Sequence, residues 1–95
     1  MHGQTMTDTP APHEHVVATE FDGGEGVLVD LNSKRYYQLN ETAMLVWRCL
    51  ERGLSSAEIV GEMTARYDVS ADHAAGSLSN VLRSLEAHKL VGLRP

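Results

Sequence analysis

Ninety-five residues, 42% of them apolar, suffice to bury one modest core and are too few for two. A net charge of −5, from 13 acids against 8 lysines and arginines, argues against a surface that wraps nucleic-acid phosphates. The single cysteine excludes an intramolecular disulfide, and no apolar run approaches the roughly 18 residues that a membrane span requires.

The opening residues, MHGQTMTDTPAP, offer little to bury, so residues 1–12 are predicted to be a disordered segment and 13–95 a single domain. They also lack the charged-then-apolar pattern of a signal peptide, and a cytoplasmic protein is expected. HVVATEF is rich in β-branched residues, DGGEG reads as a turn, and GVLVDL is a second strand-like run; a further turn at Asn32 and Ser33 leads into KRYYQL. Alternation assigns Val27, Val29, Leu31, Tyr37 and Leu39 to the core face and leaves Lys34, Tyr36 and Gln38 pointing away from it. In such a meander the first and third strands are edges.

Beyond Leu39 the period becomes helical. Asn40 is the predicted N-cap of a helix with an apolar stripe of Ala43, Met44, Val46, Trp47 and Leu50, stopped at Gly53. Ser55 and Glu58 have capping-box spacing, and Ile59, Val60, Met63 and Tyr67 form the next stripe, ending near Tyr67. Ser70 opens a third, longer helix whose apolar face is Ala74, Leu78, Val81, Leu82 and Leu85. Its other side is smooth, with Ser77, Ser79, Asn80 and Ser84 short and polar and Gly76 inside the helix. Leu90, Val91 and Leu93 are expected to join the core. The predicted fold is α+β, a three-stranded antiparallel sheet followed by three helices that close over one face.

Little in the chain points to catalysis or to a metal. His13 and His15 lack a third ligand at useful spacing, and His73 and His88 are isolated. Cys49 sits among Leu45, Val46 and Leu50 with no histidine near in sequence, which suits a small buried hydrophobe. Glu58 and Glu62 fit a solvated helical face, and DGGEG joins two strands instead of opening a helix, so it is no phosphate loop. No enzyme activity, cofactor or metal is expected.

The positive signal is the third strand. Tyr36 and Tyr37 face opposite ways, so one tyrosine stays outside the core beside Lys34 and Gln38, on an edge that proteins normally protect. The stretch GVLVDLNSKRYYQLNETA, the apolar helix with Trp47, LSSAEIVGEMTARYDVS and the final helix ending in HKLVGL together resemble the PqqD family, the precursor-peptide recognition elements of ribosomally made, modified peptides. The resemblance covers roughly His13 to Leu93 and is most specific over YYQLNETA.

The resemblance implies a winged-helix-like domain that binds the leader of a precursor peptide and delivers it to a modifying enzyme, either a leader peptidase or a radical SAM enzyme. The leader is expected to add as a strand beside Lys34, Arg35, Tyr36, Tyr37, Gln38 and Leu39. The helical wall carried over from the family runs from Ala75 to Glu86, with Leu78, Ser79, Leu82 and Arg83 between. Lys34, Arg35 and Arg83 would meet acidic leader positions, and Asp72 and Glu86 basic ones. The sequence departs from pyrroloquinoline quinone members in reading DLNSKR and HKLVGL where they carry a Pro-Glu-Gly type turn and an Arg-Gly-Trp-like ending, and it is closer to stand-alone proteins of lasso-peptide pathways. The alternatives are a pyrroloquinoline quinone peptide chaperone, a homodimer paired through the edge strand, and a winged-helix DNA binder, although residues 70–89 hold only Arg83 and Lys89 against Asp72 and Glu86.

Overall fold

The computed structural model describes residues 8–94. Strand β1 is Ala11–Pro12, β2 Val16–Glu20, β3 Gly26–Asp30 and β4 Arg35–Leu39; helices α1 (Glu41–Glu51), α2 (Ser56–Arg66) and α3 (Ala71–Ala87) follow, and β5 (Val91–Gly92) comes last. Strands β2, β3 and β4 pair antiparallel in that order, and the helices pack on one face, so the α+β fold is as expected.

All three helices start where the side chains dictate. Asn40 Oδ1 accepts the Ala43 N–H at 2.8 Å, Ser70 Oγ accepts that of His73 at 3.1 Å, and Ser55 and Glu58 form a reciprocal capping box. The first helix stops at Gly53, whose φ of +76° is a left-handed conformation that glycine adopts without strain. Between caps, Met44, Val46, Trp47, Leu50, Ile59, Met63, Ala74, Leu78 and Leu85 converge on one core. Trp47 is wholly enclosed and donates its Nε1–H to Glu51 Oε2 at 3.0 Å, so it is a packing residue.

The face of β3 differs from the expectation. Leu28, at 0% exposure, is the core residue, while Val27 and Val29 point to the other side and Leu31 lies exposed in the following turn. Because V-L-V is apolar at every position, alternation cannot phase it, and the flanking residues do. A Cβ on Gly26 would come within 2.5 Å of the Thr19 carbonyl oxygen and 2.7 Å of Met44 Sδ, so only glycine fits the inward phase there. Asp30 shares that phase and is buried, its Oδ1 accepting the N–H groups of Asn32 at 2.9 Å and Ser33 at 3.2 Å. Those bonds, that of Ser33 first, hold its carboxyl below the ordinary carboxylate range. Leu28 faces Tyr37 and Gly26 faces Leu39 across the ladder, which leaves both β4 residues on the core side as predicted.

Both chain ends also depart from the sequence reading. The fold does not begin at His13: Thr9 is 4% exposed and donates its hydroxyl to the Leu54 carbonyl at 2.8 Å, and Asp8 accepts the Ser56 N–H at 2.8 Å. β1 then pairs with β5, Ala11 opposite Gly92. Arg94 ties the ends down by donating to the Thr9 carbonyl at 3.1 Å and the Leu50 carbonyl at 2.9 Å. Residues 1–7 of the segment expected to be disordered, and Pro95, lie outside the described residues. Leu90 and Val91 are buried, but Leu93 is 99% exposed, because the short β1–β5 pair carries the backbone out over the surface.

Candidate functional site

Strand β4 is an edge. Among the described residues it pairs only with β3, and Tyr36, on the sheet face turned away from the core, is 73% exposed. Backbone N–H and C=O groups on such an edge can accept a further strand. The hairpin that delivers it turns at Lys34, which has φ +64° and donates its N–H to the Asp30 carbonyl at 2.7 Å. Lys34 is therefore a turn residue and not, as the sequence reading has it, part of the strand; the strand begins at Arg35.

Beside this edge a cleft of about 260 Å³ opens between β4 and α3. Gln38, Leu39, Asn40 and Ala43 form one wall. The helical wall is Asn80, Val81, Ser84 and Leu85. The floor is apolar, from Leu39, Val81 and Leu85, and short polar side chains at Asn80 and Ser84 keep the mouth open. One end is marked by Tyr37, whose ring lies 5.0 Å from that of His88 at an interplanar angle of 58°. His88 is fixed in turn through Nδ1, 2.9 Å from the Ser84 carbonyl oxygen. Tyr37 meets the end of α3 while Leu39 and Ala43 lie across from its middle, so β4 and α3 run antiparallel along the cleft.

Of the strand residues expected at the site, Gln38 and Leu39 line the cleft, Tyr37 bounds it, and Arg35 and Tyr36 lie on the strand that forms its edge. The helical residues are placed differently: none of Ala75, Leu78, Ser79, Leu82, Arg83 and Glu86 lines the cleft. Leu78 is buried in the core, Leu82 is partly buried against it, and Ala75, Ser79, Arg83 and Glu86 are exposed. A helix turns roughly 100° per residue, so Leu82 stands well off the line from Val81 to Ser84 and Leu85. Arg83 reaches back to donate from Nη2 to Asn80 Oδ1 at 3.1 Å, touching the lining at one point. The available signal was the row Ser77, Asn80, Ser84 and His88, spaced by three and four along the smooth side of the helix.

The groups that could have suggested chemistry are engaged otherwise. Cys49 is fully buried, and desolvation pushes its thiol upward, away from the reactive thiolate. His13 and His15 stack with centroids 5.1 Å apart, and among the described residues no group of three or more histidines, cysteines and acids is arranged to hold a metal.

The profile of the family described as Coenzyme PQQ synthesis protein D (PqqD) matches residues 25–91, which span β3 through the start of β5 and so include both walls of the cleft. The chain belongs to the PqqD family. Two solved structures resemble this PqqD protein over nearly their whole length. "TbiB1 in Complex with the TbiA(beta) Leader Peptide" is 30% identical with a TM-score of 0.78, covering 85% of this chain and 93% of that one. "Lasso peptide synthetase B1 complexed with the leader peptide" is 29% identical with a TM-score of 0.73, covering 87% and 95%. No curated protein matches the chain. Among the described residues no helix is long and apolar enough to cross a membrane.

Proposed function

We propose that this PqqD protein binds the leader of a ribosomally synthesised precursor peptide by adding it as a strand to the open edge of β4, and that it presents the peptide to a modifying enzyme or leader peptidase without catalysing a reaction itself. The observation that carries the reading is an unpaired edge strand lying directly beside an apolar-floored cleft. Backbone bonds to β4 would supply affinity, and alternate side chains of the peptide would drop between Leu39, Val81 and Leu85 and supply specificity. Both solved relatives are complexes with leader peptides, which supports the same ligand class here.

The test is a titration of the isotopically labelled chain with the leader segments of small open reading frames encoded beside its gene. Expected are slowed hydrogen exchange at alternate amides of Arg35–Leu39 and shifted resonances at Val81 and Ser84. Protection confined to the β2 edge, or binding that leaves β4 amides unchanged, would refute strand addition at this edge.

A further inference from the structure

A second cleft, of about 450 Å³, meets the first at Gln38, Leu39 and Asn40 and extends past the end of β4 to the β2–β3 hairpin, where Phe21, Glu25 and Gly26 complete its lining. Two backbone bonds close the turn and bring Phe21 and Glu25 opposite each other: Phe21 donates its N–H to the Glu25 carbonyl at 2.7 Å, and Gly24 donates to the Phe21 carbonyl at 3.0 Å. Phe21 is 48% exposed, an unusual position for the chain's only phenylalanine. Glu20 nearby is paired with Arg48 Nε at 3.2 Å, a cation it shares with Glu51, whereas among the described residues Glu25 has no ion-pair partner.

We propose that this hairpin-tip cleft is a charge-selective subsite that takes a lysine or arginine side chain of the bound peptide, at a position just beyond the residues seated between β4 and α3. The inference rests on strand addition at β4. A strand running along β4 toward Asn40 comes at its end to the rim of the second cleft, which shares Gln38, Leu39 and Asn40 with the first, and a long side chain can reach from there across the end of the sheet toward the hairpin tip. There an aliphatic stem would lie on Phe21 and Leu39, and the cationic head would reach the ring face and the Glu25 carboxylate. An acidic side chain would meet Glu25, which has no ion-pair partner among the described residues, and be disfavoured, so the subsite also biases which way along the groove a peptide of uneven charge lies.

The test uses a displayed library of random peptides panned against the wild type and against Glu25→Lys, a substitution on the exposed hairpin tip. Expected from the wild type are strand-forming peptides with apolar anchors at alternate positions and Lys or Arg enriched at one fixed distance from them. With Glu25→Lys the enrichment at that position should change to Asp or Glu. A selected peptide with its cation replaced by Gln should bind the wild type about 2- to 5-fold more weakly at low salt, with the difference shrinking at high salt. Anchored peptides without a charge preference, or a preference that survives Glu25→Lys, would overturn the subsite and leave strand addition standing. If no strand-forming peptide is enriched at all, strand addition fails and the subsite falls with it.

Discussion

Truncating Val81 and Leu82 one at a time separates the groove from the core within a single turn of α3. Val81 lines the cleft and is mostly buried in the free protein. Deleting its two methyl groups removes about 1.6 kcal/mol of burial at roughly 0.8 kcal/mol per group. Since about two thirds or more of that burial already exists without peptide, Val81→Ala should cost about 1 kcal/mol or more of folding stability. The rest, at most about 0.6 kcal/mol, should appear as peptide affinity weakened by no more than about threefold. For a domain of this size the stability part lowers Tm by roughly 4–8 °C. Leu82 is packed against the core and does not line the cleft. Leu82→Ala should therefore cost about 2 kcal/mol or more in stability and leave the affinity of the folded protein unchanged. Isothermal titration with one leader or selected peptide, paired with thermal melts of the free proteins, measures both quantities. If Leu82→Ala weakens binding as much as Val81→Ala, the peptide lies on the face of α3 that carries Ala75, Ser79 and Glu86, and the cleft beside β4 is not the site.

The Asp30 carboxyl is held below its ordinary value, so its contribution to stability is complete above the unfolded pKa of about 3.9 and is lost as pH falls through the lower folded value. Acid titration followed by circular dichroism should show melting that steepens below about pH 4, and Asp30→Asn should flatten that dependence. Thr9→Val removes the hydroxyl that binds the Leu54 carbonyl and should destabilise the domain by about 1 kcal/mol, read as a lower urea midpoint with unchanged slope. An equal midpoint would mean that the Thr9 hydroxyl contributes nothing to the fold. Cys49, buried and with its thiol pushed up, should resist a thiol reagent in the native state and react fully in denaturant; rapid labelling of the folded protein would contradict the packing of α1.

Elements whose signals are local were legible in the sequence. Asn40, Ser55 and Ser70 are caps because each bonds a backbone group three residues away, and nothing distant is needed to recognise that. What eluded the pattern depends on contacts across the fold. The phase of β3 is set by Gly26 against Thr19 and Met44, on other elements. The anchoring of Thr9 is set by Leu54 and Arg94, 45 and 85 residues away. A segment of Thr, Pro and Asp looks disordered by composition because its partners are absent from the window.

The helical wall implied by the resemblance differs from the lining of the cleft for a related reason. Alpha-helix α3 serves two contacts at once, with Ala74, Leu78 and Leu85 turned to the core and Asn80, Val81 and Ser84 turned to the cleft. An apolar stripe broad enough to reach both includes Leu82, and periodicity alone does not say which edge of the stripe faces β4. The antiparallel run of β4 and α3, pinned by Tyr37 against His88, supplies that information. It also explains the short residues at Asn80 and Ser84. Larger side chains there would fill the space that Asn80 and Ser84 leave opposite Gln38, and under the proposed strand addition the smooth side of the helix leaves room for the peptide's side chains beside β4.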